Sequence, residues 1–308
     1  MLKSYPAQTA GAVPAIWIDL LNPSDAERTQ AGKLLGSGLP TRKEVASIAL
    51  SSRVRKDDGF LRINIPGFVR DEGGQGSMTP LGVLLTPKLL VTLRYADSQA
   101  FDRMTRDVAK DTAPKSSIDA FVNLFESVSE TASDRMETLS AELSQLSRQV
   151  FSDAPGHSQM LRGVLFQVGR IQRQLTQIRS AMLGVERGLS HLCDGAPKWM
   201  PQDDVARLHV VRKDLHAMSD FDQQLDDKVQ FLLDATLGFI NNDQNDLIKV
   251  LTIASVVTIP PMILAGIWGM NFKTIHEYDW PHGYAFAWTM IILSMLLPLA
   301  WFKWKKWF

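Results

Sequence analysis

The sequence is poor in the residues that build disulfide frameworks, metal clusters and enzyme active sites. Among 308 residues there is one cysteine, Cys193, which excludes an intrachain disulfide and fits a reducing cytosolic setting. The histidines show no H-x-x-x-H spacing, and His209 and His216, seven residues apart, fit a helix surface or seam better than a metal site. No nucleophile, base and orienting group converge in a motif. We therefore expect neither an enzyme nor an organic cofactor.

Signals for nucleotide binding and secretion are also missing. The glycine-rich stretch 71–77 is followed by neither a helical pattern nor Gly-Lys-Ser/Thr, so it does not resemble a phosphate-binding loop. The N-terminus has no basic, apolar signal segment. The formal net charge is +0, and we expect no nucleic-acid partner. Charge is nevertheless uneven, because aspartates crowd residues 203–234 and lysines crowd the last six residues.

Two long apolar runs dominate the C-terminal part. Residues 250–268 and 284–302 each contain nineteen residues without a charge. As a helix, one such run would reach roughly 28 Å, close to the hydrocarbon thickness of a bilayer. We expect two transmembrane helices joined by the short loop 269–283. The alternative, a buried hydrophobic hairpin in a soluble protein, accounts poorly for the basic residues that flank both runs.

The first apolar run continues an acidic helix that begins near residue 203. Between Gln202 and Ile259 there is no proline and one glycine, Gly238, so nothing obliges the helix to stop at the membrane surface. Two series with a spacing of seven predict a coiled-coil or bundle seam in which Asp222 is the one charged residue. The series are Leu208, Leu215, Asp222, Val229 and Thr236, and Val211, Met218, Leu225, Leu232 and Phe239.

The N-terminal third predicts a small α/β domain. Short strands are expected at 15–20 and 60–69, with a hairpin at 81–95. Pro23 is expected at the first position of one helix, and Thr41 with Glu44 forms a capping box that opens another.

Helical patterns at 117–150 and 160–192, separated by a break at 153–156, predict an antiparallel helical hairpin. We interpret the arginines and glutamines of residues 170–175 as a solvated face. The expected domains are the α/β domain (1–116), the helical hairpin (117–196), the stalk helix (197–249), the first transmembrane helix (250–268), the external loop (269–283), the second transmembrane helix (284–302) and the basic tail (303–308).

The lysines give the expected orientation. Lys249 borders the first apolar run, and Lys303, Lys305 and Lys306 border the second. By the positive-inside rule both termini lie in the cytoplasm. The family resemblance described below implies that the membrane is a bacterial-type inner membrane.

Two spans per chain cannot enclose a hydrophilic path, so transport requires an oligomer in which the first span lines a central axis. Continuing the heptad face places polar residues at both ends of a mostly apolar stripe, a lining that offers hydrated ions no charge and can close by dewetting. The same stripe can equally be an oligomerisation seam. Its members are Asn245, Ile248, Leu251, Ser255, Ile259, Met262 and Gly266, leading to Asn271.

Several motifs resemble the CorA family of divalent cation transporters. The clearest is Gly269-Met270-Asn271 within the run 266–272, between the two spans. Asn245 with residues 247–252 is similar to the entry of the family's pore helix, and residues 279–284 and the Lys- and Trp-rich end are also similar. Nearer the N-terminus, residues 39–42, 51–53 and 58–59 look like the CorA-type cytosolic domain.

The resemblance implies a funnel-shaped homopentamer with an α/β cytosolic domain, a stalk and two transmembrane helices. It implies passive transport of Mg²⁺, and often Co²⁺ or Ni²⁺, with Gly269, Met270 and Asn271 as the selectivity filter. Asn245 would form an inner ring and Asp234 a stalk acid at the cytoplasmic mouth. The resemblance also implies regulatory Mg²⁺ between stalk acids, for which the candidates are Asp220, Asp222, Asp226, Asp227 and Asp234. A solvated acidic face is an equally good interpretation of these acids.

The loop after the filter departs from the family pattern. Lys273 stands at the outer mouth, where a ring of lysines would repel cations, and only Glu277 keeps the expected acid. His276 could coordinate Zn²⁺, so a ZntB-like Zn²⁺ transporter, with or without proton coupling, is the alternative, although Met270 argues against it. A membrane-anchored structural or sensor protein without conduction is the more distant alternative.

Overall fold

The computed structural model describes residues 2–5, 15–46, 54–57, 59–69, 78–109, 114–152, 157–271, 279–305 and 307. Six strands and seven helices follow one another in these parts of the chain: β1 (Leu2–Tyr5), β2 (Trp17–Leu21), α1 (Asp25–Leu35), α2 (Arg42–Val45), β3 (Val54–Asp57), β4 (Phe60–Phe68), β5 (Met78–Leu85), β6 (Leu90–Arg94), α3 (Gln99–Ala109), α4 (Ser117–Val150), α5 (His157–Cys193), α6 (Gln202–Trp268) and α7 (Gly283–Trp304).

The strands form one six-stranded sheet in the order β1-β2-β6-β5-β4-β3. Strands β2 and β6 are parallel, and the other neighbouring pairs are antiparallel. Apolar residues of β2, β5 and β6 pack with α1 and α2 in a core that includes Ile18, Ala31, Val45, Leu84 and Val91. The expected strands and the expected β5–β6 hairpin are confirmed. The stretches 51–53 and 71–77 and the break at 153–156 lie outside the described residues.

The helix starts confirm one capping prediction and correct another. Thr41 caps α2 in a capping box with Glu44, as expected. In α1, however, the cap is Ser24, whose hydroxyl accepts from the amide of Glu27, and the first helical residue is Asp25. Pro23 therefore precedes the cap instead of occupying the first helical position, because the capping box formed by Ser24 and Glu27 satisfies the free amides.

The long helices pack as the heptad series predicts. Leu208, Leu215 and Leu225 of α6 are at most 1% exposed, and Thr236 is fully buried. Contacts of Arg207 with Glu126, and of Phe151 with Phe231, show that α6 runs parallel to α4, since both partners advance together along the chain. The α4–α5 pair is antiparallel, with Arg170 bound to Glu142.

The structure corrects the interpretation of the arginines and glutamines of residues 170–175 in α5 as a solvated face. Arg170 pairs with Glu142, and Gln172 donates to Asp226 at 2.7 Å while its own Oε1 is buried. Polar side chains of residues 170–175 thus bridge helices, because the long α6 lies against α5 and covers a face that the isolated pattern leaves open.

The chain divides into two compact units: residues 1–153 with 163–233, and residues 154–162 with 234–308. Helix α6 is continuous from the first unit into the second over 67 residues. The absence of proline between Gln202 and Ile259 predicts this continuity, whereas Pro260 and Pro261 lie within the helix.

A series of buried side-chain hydrogen bonds connects the parallel strands β2 and β6. Trp17 Nε1 donates to Thr92 at 3.0 Å, Thr92 donates to Asp19, and Arg94 donates to both oxygens of Asp19. The carboxyl side chain is 1% exposed and that of Arg94 8%. Both charges are removed from water, so each depends on the other for compensation. Removing either Asp19 or Arg94 alone would leave a buried charge without its partner in the pair, which destabilises the domain.

We expect Asp19→Asn to lower the free energy of unfolding by about 3 to 5 kcal/mol, because it removes the buried counter-charge of the Arg94 guanidinium and leaves Asp97, which is 67% exposed, as its acidic partner. Urea unfolding of the detergent-solubilised full chain, followed by tryptophan fluorescence, measures the change. Asp25→Asn is the matched control, since the Asp25 side chain is 97% exposed beside Arg28. Equal losses in the two variants would contradict a structural role for the buried pair.

Candidate ion pathway

The apolar part of α6 and helix α7 are exposed along most of their length. Leu247, Leu251 and Met262 of α6 are 70%, 69% and 63% exposed, and Leu297 of α7 is 61% exposed. Both helices are long and apolar enough to cross a membrane. A core helix of a soluble protein would bury such side chains, whereas a lipid-facing helix exposes them. The exposure therefore argues against the buried-hairpin alternative.

One side of α6 is covered within the second unit. Val257 is 9% exposed, and Ile253, Pro261, Leu264 and Trp268 on the same side are partly covered. The Trp268 ring meets Phe286 of α7 edge-on, with the centroids 6.5 Å apart. On α7 the covered residues recur every three or four positions, as one helix face requires: Ala287, Ile291, Ser294, Pro298 and Phe302. These faces indicate where the hairpin packs against itself.

The stripe expected to line an ion path lies on the opposite side of α6. At about 100° per residue, residues 245, 248, 255, 259, 262 and 266 centre roughly 170° from the covered face. Ile248 and Ile259 in this stripe are 60% and 46% exposed. Leu251 lies at one edge of the stripe. Thr252, which is not one of the residues predicted for the stripe, lies at the other edge. The hydroxyls of Thr252 and Ser255 bond to carbonyls one turn back within their own helix.

Gly269, Met270 and Asn271 make the turn that ends α6. The amide of Gly269 donates to the carbonyl of Ala265 at 2.9 Å, and that of Met270 donates to Ile267 at 3.2 Å. A Cβ at position 269 would lie 3.2 Å from the backbone oxygen of Ala265, so a side chain there would crowd the main chain. Met270 is 47% exposed, and Asn271 is also exposed. Lys273, His276 and Glu277 lie outside the described residues.

The five candidate acids fall into two groups. Asp222 is 3% exposed and accepts a hydrogen bond from Arg179, while Asp226 accepts one from Gln172. Asp220, Asp227 and Asp234 are exposed and share one heptad face of α6. Within the described residues of one chain, no three acidic, histidine or cysteine side chains are grouped to hold a metal ion.

The α/β unit, the long helix and the two apolar helices define a class of membrane protein in which a water-exposed domain is joined to a transmembrane hairpin. Residues 14–306 match the family model described as CorA-like Mg2+ transporter protein. The chain belongs to this family.

Curated and solved relatives agree with this assignment. The magnesium transport protein CorA of Escherichia coli K12 is 31% identical over 297 residues, which cover 96% of this chain and 92% of that protein. The complete CorA structure from Methanocaldococcus jannaschii superposes with a TM-score of 0.78 at 18% identity, covering 98% of this chain and 95% of that one. The ZntB cytoplasmic domain from Vibrio parahaemolyticus gives a TM-score of 0.52 at 14% identity, covering 74% and 87%. The expected fold is therefore confirmed, with two transmembrane helices.

We expect Arg179→Gln to lower the free energy of unfolding by about 1 to 3 kcal/mol at neutral pH, because it leaves Asp222 buried without its cation. Burial already raises the pKa of Asp222, and loss of the guanidinium raises it further. The folded variant then takes up a proton at a pH where the unfolded chain is still ionised, so acid stabilises it. The loss should therefore shrink between about pH 7 and about pH 5.

Urea unfolding at the two pH values measures this change. Arg173→Gln, an exposed substitution on the same helix, is the control and should show little loss at either pH. A loss for Arg179→Gln that does not vary with pH would contradict a buried, ionised Asp222.

Proposed function

We propose that five copies of this chain form a channel that passes Mg²⁺, together with Co²⁺ and Ni²⁺, down its electrochemical gradient. The observation that carries the proposal is the uncovered stripe of α6, which faces away from α7 and leads to the exposed Asn271. A surface of this kind on every copy can line a common axis while α7 lies outside. The pentameric number follows the family and not the geometry of one chain.

Asn271 supplies the chemistry of the proposed filter. Mg²⁺ gives up its waters reluctantly, so a ring of amide oxygens that accept hydrogen bonds from bound water can admit the hydrated ion. A neutral ring holds the ion less tightly than carboxylates would, which favours release. Gly269 and Met270 place the amide at the helix end through the turn described above.

The stripe from Ile248 to Gly266 would form the narrow part of the path. It contains no charged side chain, and its hydroxyl groups are bonded to their own helix. Such a lining can exclude water and ions when it narrows. Asn245 would form the polar ring on the cytoplasmic side, with both termini in the cytoplasm of the cell.

The acids suited to sensing cytosolic Mg²⁺ are Asp220, Asp227 and Asp234. They are exposed on one heptad face of α6, and Asp222 and Asp226 accept hydrogen bonds from α5 of the same chain. Mg²⁺ between copies at the exposed acids would favour a closed channel by neutralising their repulsion.

Zn²⁺ transport, with or without proton coupling, is the second candidate. His276 in the outer loop and the likeness to the ZntB cytoplasmic domain favour it. Met270 favours the Mg²⁺ assignment, as does the likeness to complete CorA over nearly the whole chain.

We expect Asn271→Ala to abolish Mg²⁺ uptake into proteoliposomes without changing the oligomeric state, because it removes the acceptors for the ion's water shell. Asn242→Ala is the matched control, an exposed asparagine on the same helix but away from the stripe. Size-exclusion chromatography with light scattering confirms assembly. Normal uptake by assembled Asn271→Ala would refute the filter assignment.

Flux measurements distinguish the ions and the regulation. We expect Mg²⁺ flux that does not require a proton gradient and that falls when Mg²⁺ is raised on the cytoplasmic side. Replacing Asp220, Asp227 and Asp234 together by Asn should weaken this inhibition, whereas Asp25→Asn should not. Zn²⁺ flux that depends on the proton gradient would instead support the second candidate.

A further inference from the structure

A cavity in the first unit lies among α3, α4 and α5, far along the sequence from the filter. We name it the arginine cavity, because Arg103, Arg106, Arg135 and Arg170 line it from three helices. Its volume is about 840 Å³, within the range of roughly 300 to 1,000 Å³ that small-molecule sites occupy. Phe68 of β4 contributes an aromatic ring to the wall.

The arginines differ in how fully they are engaged. Arg103 binds Glu130 and Asp134, and Arg170 binds Glu142. Only Nε of Arg106 makes a hydrogen bond within the described residues, to the carbonyl of Asp102 at 3.2 Å. Its two terminal nitrogens are thus available to a ligand.

Arg135 is held in place by a stacked ring and a carbonyl. Its guanidinium lies 5.0 Å from the Phe68 ring centroid, and one of its nitrogens donates to the carbonyl of Val69 at 2.8 Å. The orientation of this planar donor is therefore fixed before any ligand arrives, which lowers the cost of binding an anion.

The wall also presents an acceptor that lacks a donor. Oε1 of Gln177, a lining residue on α5, is buried and has no hydrogen-bond partner in the described part of the chain. Such an atom costs free energy until it receives a hydrogen bond. A ligand that both accepts from arginine and donates to an amide oxygen would satisfy it.

We propose that the arginine cavity binds a nucleotide-sized phosphate ester. Its phosphate would accept from Arg106 and Arg135, and a hydroxyl or amino group would donate to Gln177. A guanidinium binds phosphate oxygens through paired, charge-assisted hydrogen bonds. Asp134 and Glu142 in the wall pair with Arg103 and Arg170, and Asp102, whose carbonyl accepts from Arg106, is a third acid of the wall.

Arg103 forms an ion pair that joins α3 to α4, and Arg170 forms one that joins α5 to α4. A ligand in this cavity would lie beside both ion pairs. This inference concerns binding alone and does not depend on the proposed transport. The glycine-rich stretch 71–77 plays no part in it.

Isothermal titration calorimetry on the full chain in detergent tests the proposal, with ATP, ADP and inorganic phosphate as probes at fixed Mg²⁺ and salt. We expect saturable binding of ATP or ADP, one per chain, and weaker binding of inorganic phosphate. Arg106→Gln should weaken nucleotide binding about tenfold or more, because it removes a charge-assisted contact. Arg173→Gln is the control, an exposed arginine of α5 outside the cavity, and should bind normally.

Three results would overturn the proposal. The first is the absence of saturable binding of any nucleotide, as would follow if another copy of the chain covers the cavity. The second is nucleotide binding that Arg106→Gln leaves unchanged. The third is binding of inorganic phosphate as tight as that of ATP. Circular dichroism and chromatography of Arg106→Gln confirm that its fold and assembly are retained. A failure here would leave the filter assignment untouched, since Asn271 is tested by flux.

Discussion

The structure depends on one constraint: a backbone that enters lipid must satisfy its own hydrogen bonds. Helix α6 runs over 67 residues, from a water-exposed acidic segment to the turn at Gly269, so most of its backbone hydrogen bonds lie within the helix. Pro260 and Pro261, which also lie within it, have no amide hydrogen to donate. The packing of the stalk segment against α4 and α5 fixes which residues of that segment remain exposed.

The division of α6 into covered and uncovered faces has different physical causes in its two halves. In the first unit, Leu208, Leu215 and Leu225 are buried by neighbouring helices, as the hydrophobic effect requires. In the second unit, Val257 and Trp268 lie on the side that packs against α7, and the opposite side is left open. Lipid does not favour burial of that open side, and Asn245 and Asn271 lie at its two polar ends.

The sequence predicted most of the fold because its signals are local. Thr41 with Glu44, the alternation in β4 and the heptads of α6 each specify structure through neighbours in the chain. It did not predict that Asp222 would find Arg179, or that residues 170–175 would bridge helices, because such pairs depend on which faces meet in space. The arginine cavity was missed for the same reason, since its four arginines come from three helices. The Gly-Met-Asn turn was found through its motif, but the close approach of position 269 to the carbonyl of Ala265 is visible only in the structure.

Charge along the uncovered face of α6 changes in a way that suits a hydrated divalent ion. Asp220, Asp227 and Asp234 give the stalk end a negative potential that concentrates cations near the proposed pore. From Asn245 to Asn271 the stripe carries amides, hydroxyls and apolar groups but no carboxylate, so nothing there competes with the tightly held waters of Mg²⁺. A carboxylate within the narrow segment would bind the ion strongly and slow its exit. The proposed attraction of cations and the proposed passage of the hydrated ion therefore rest on different stretches of α6.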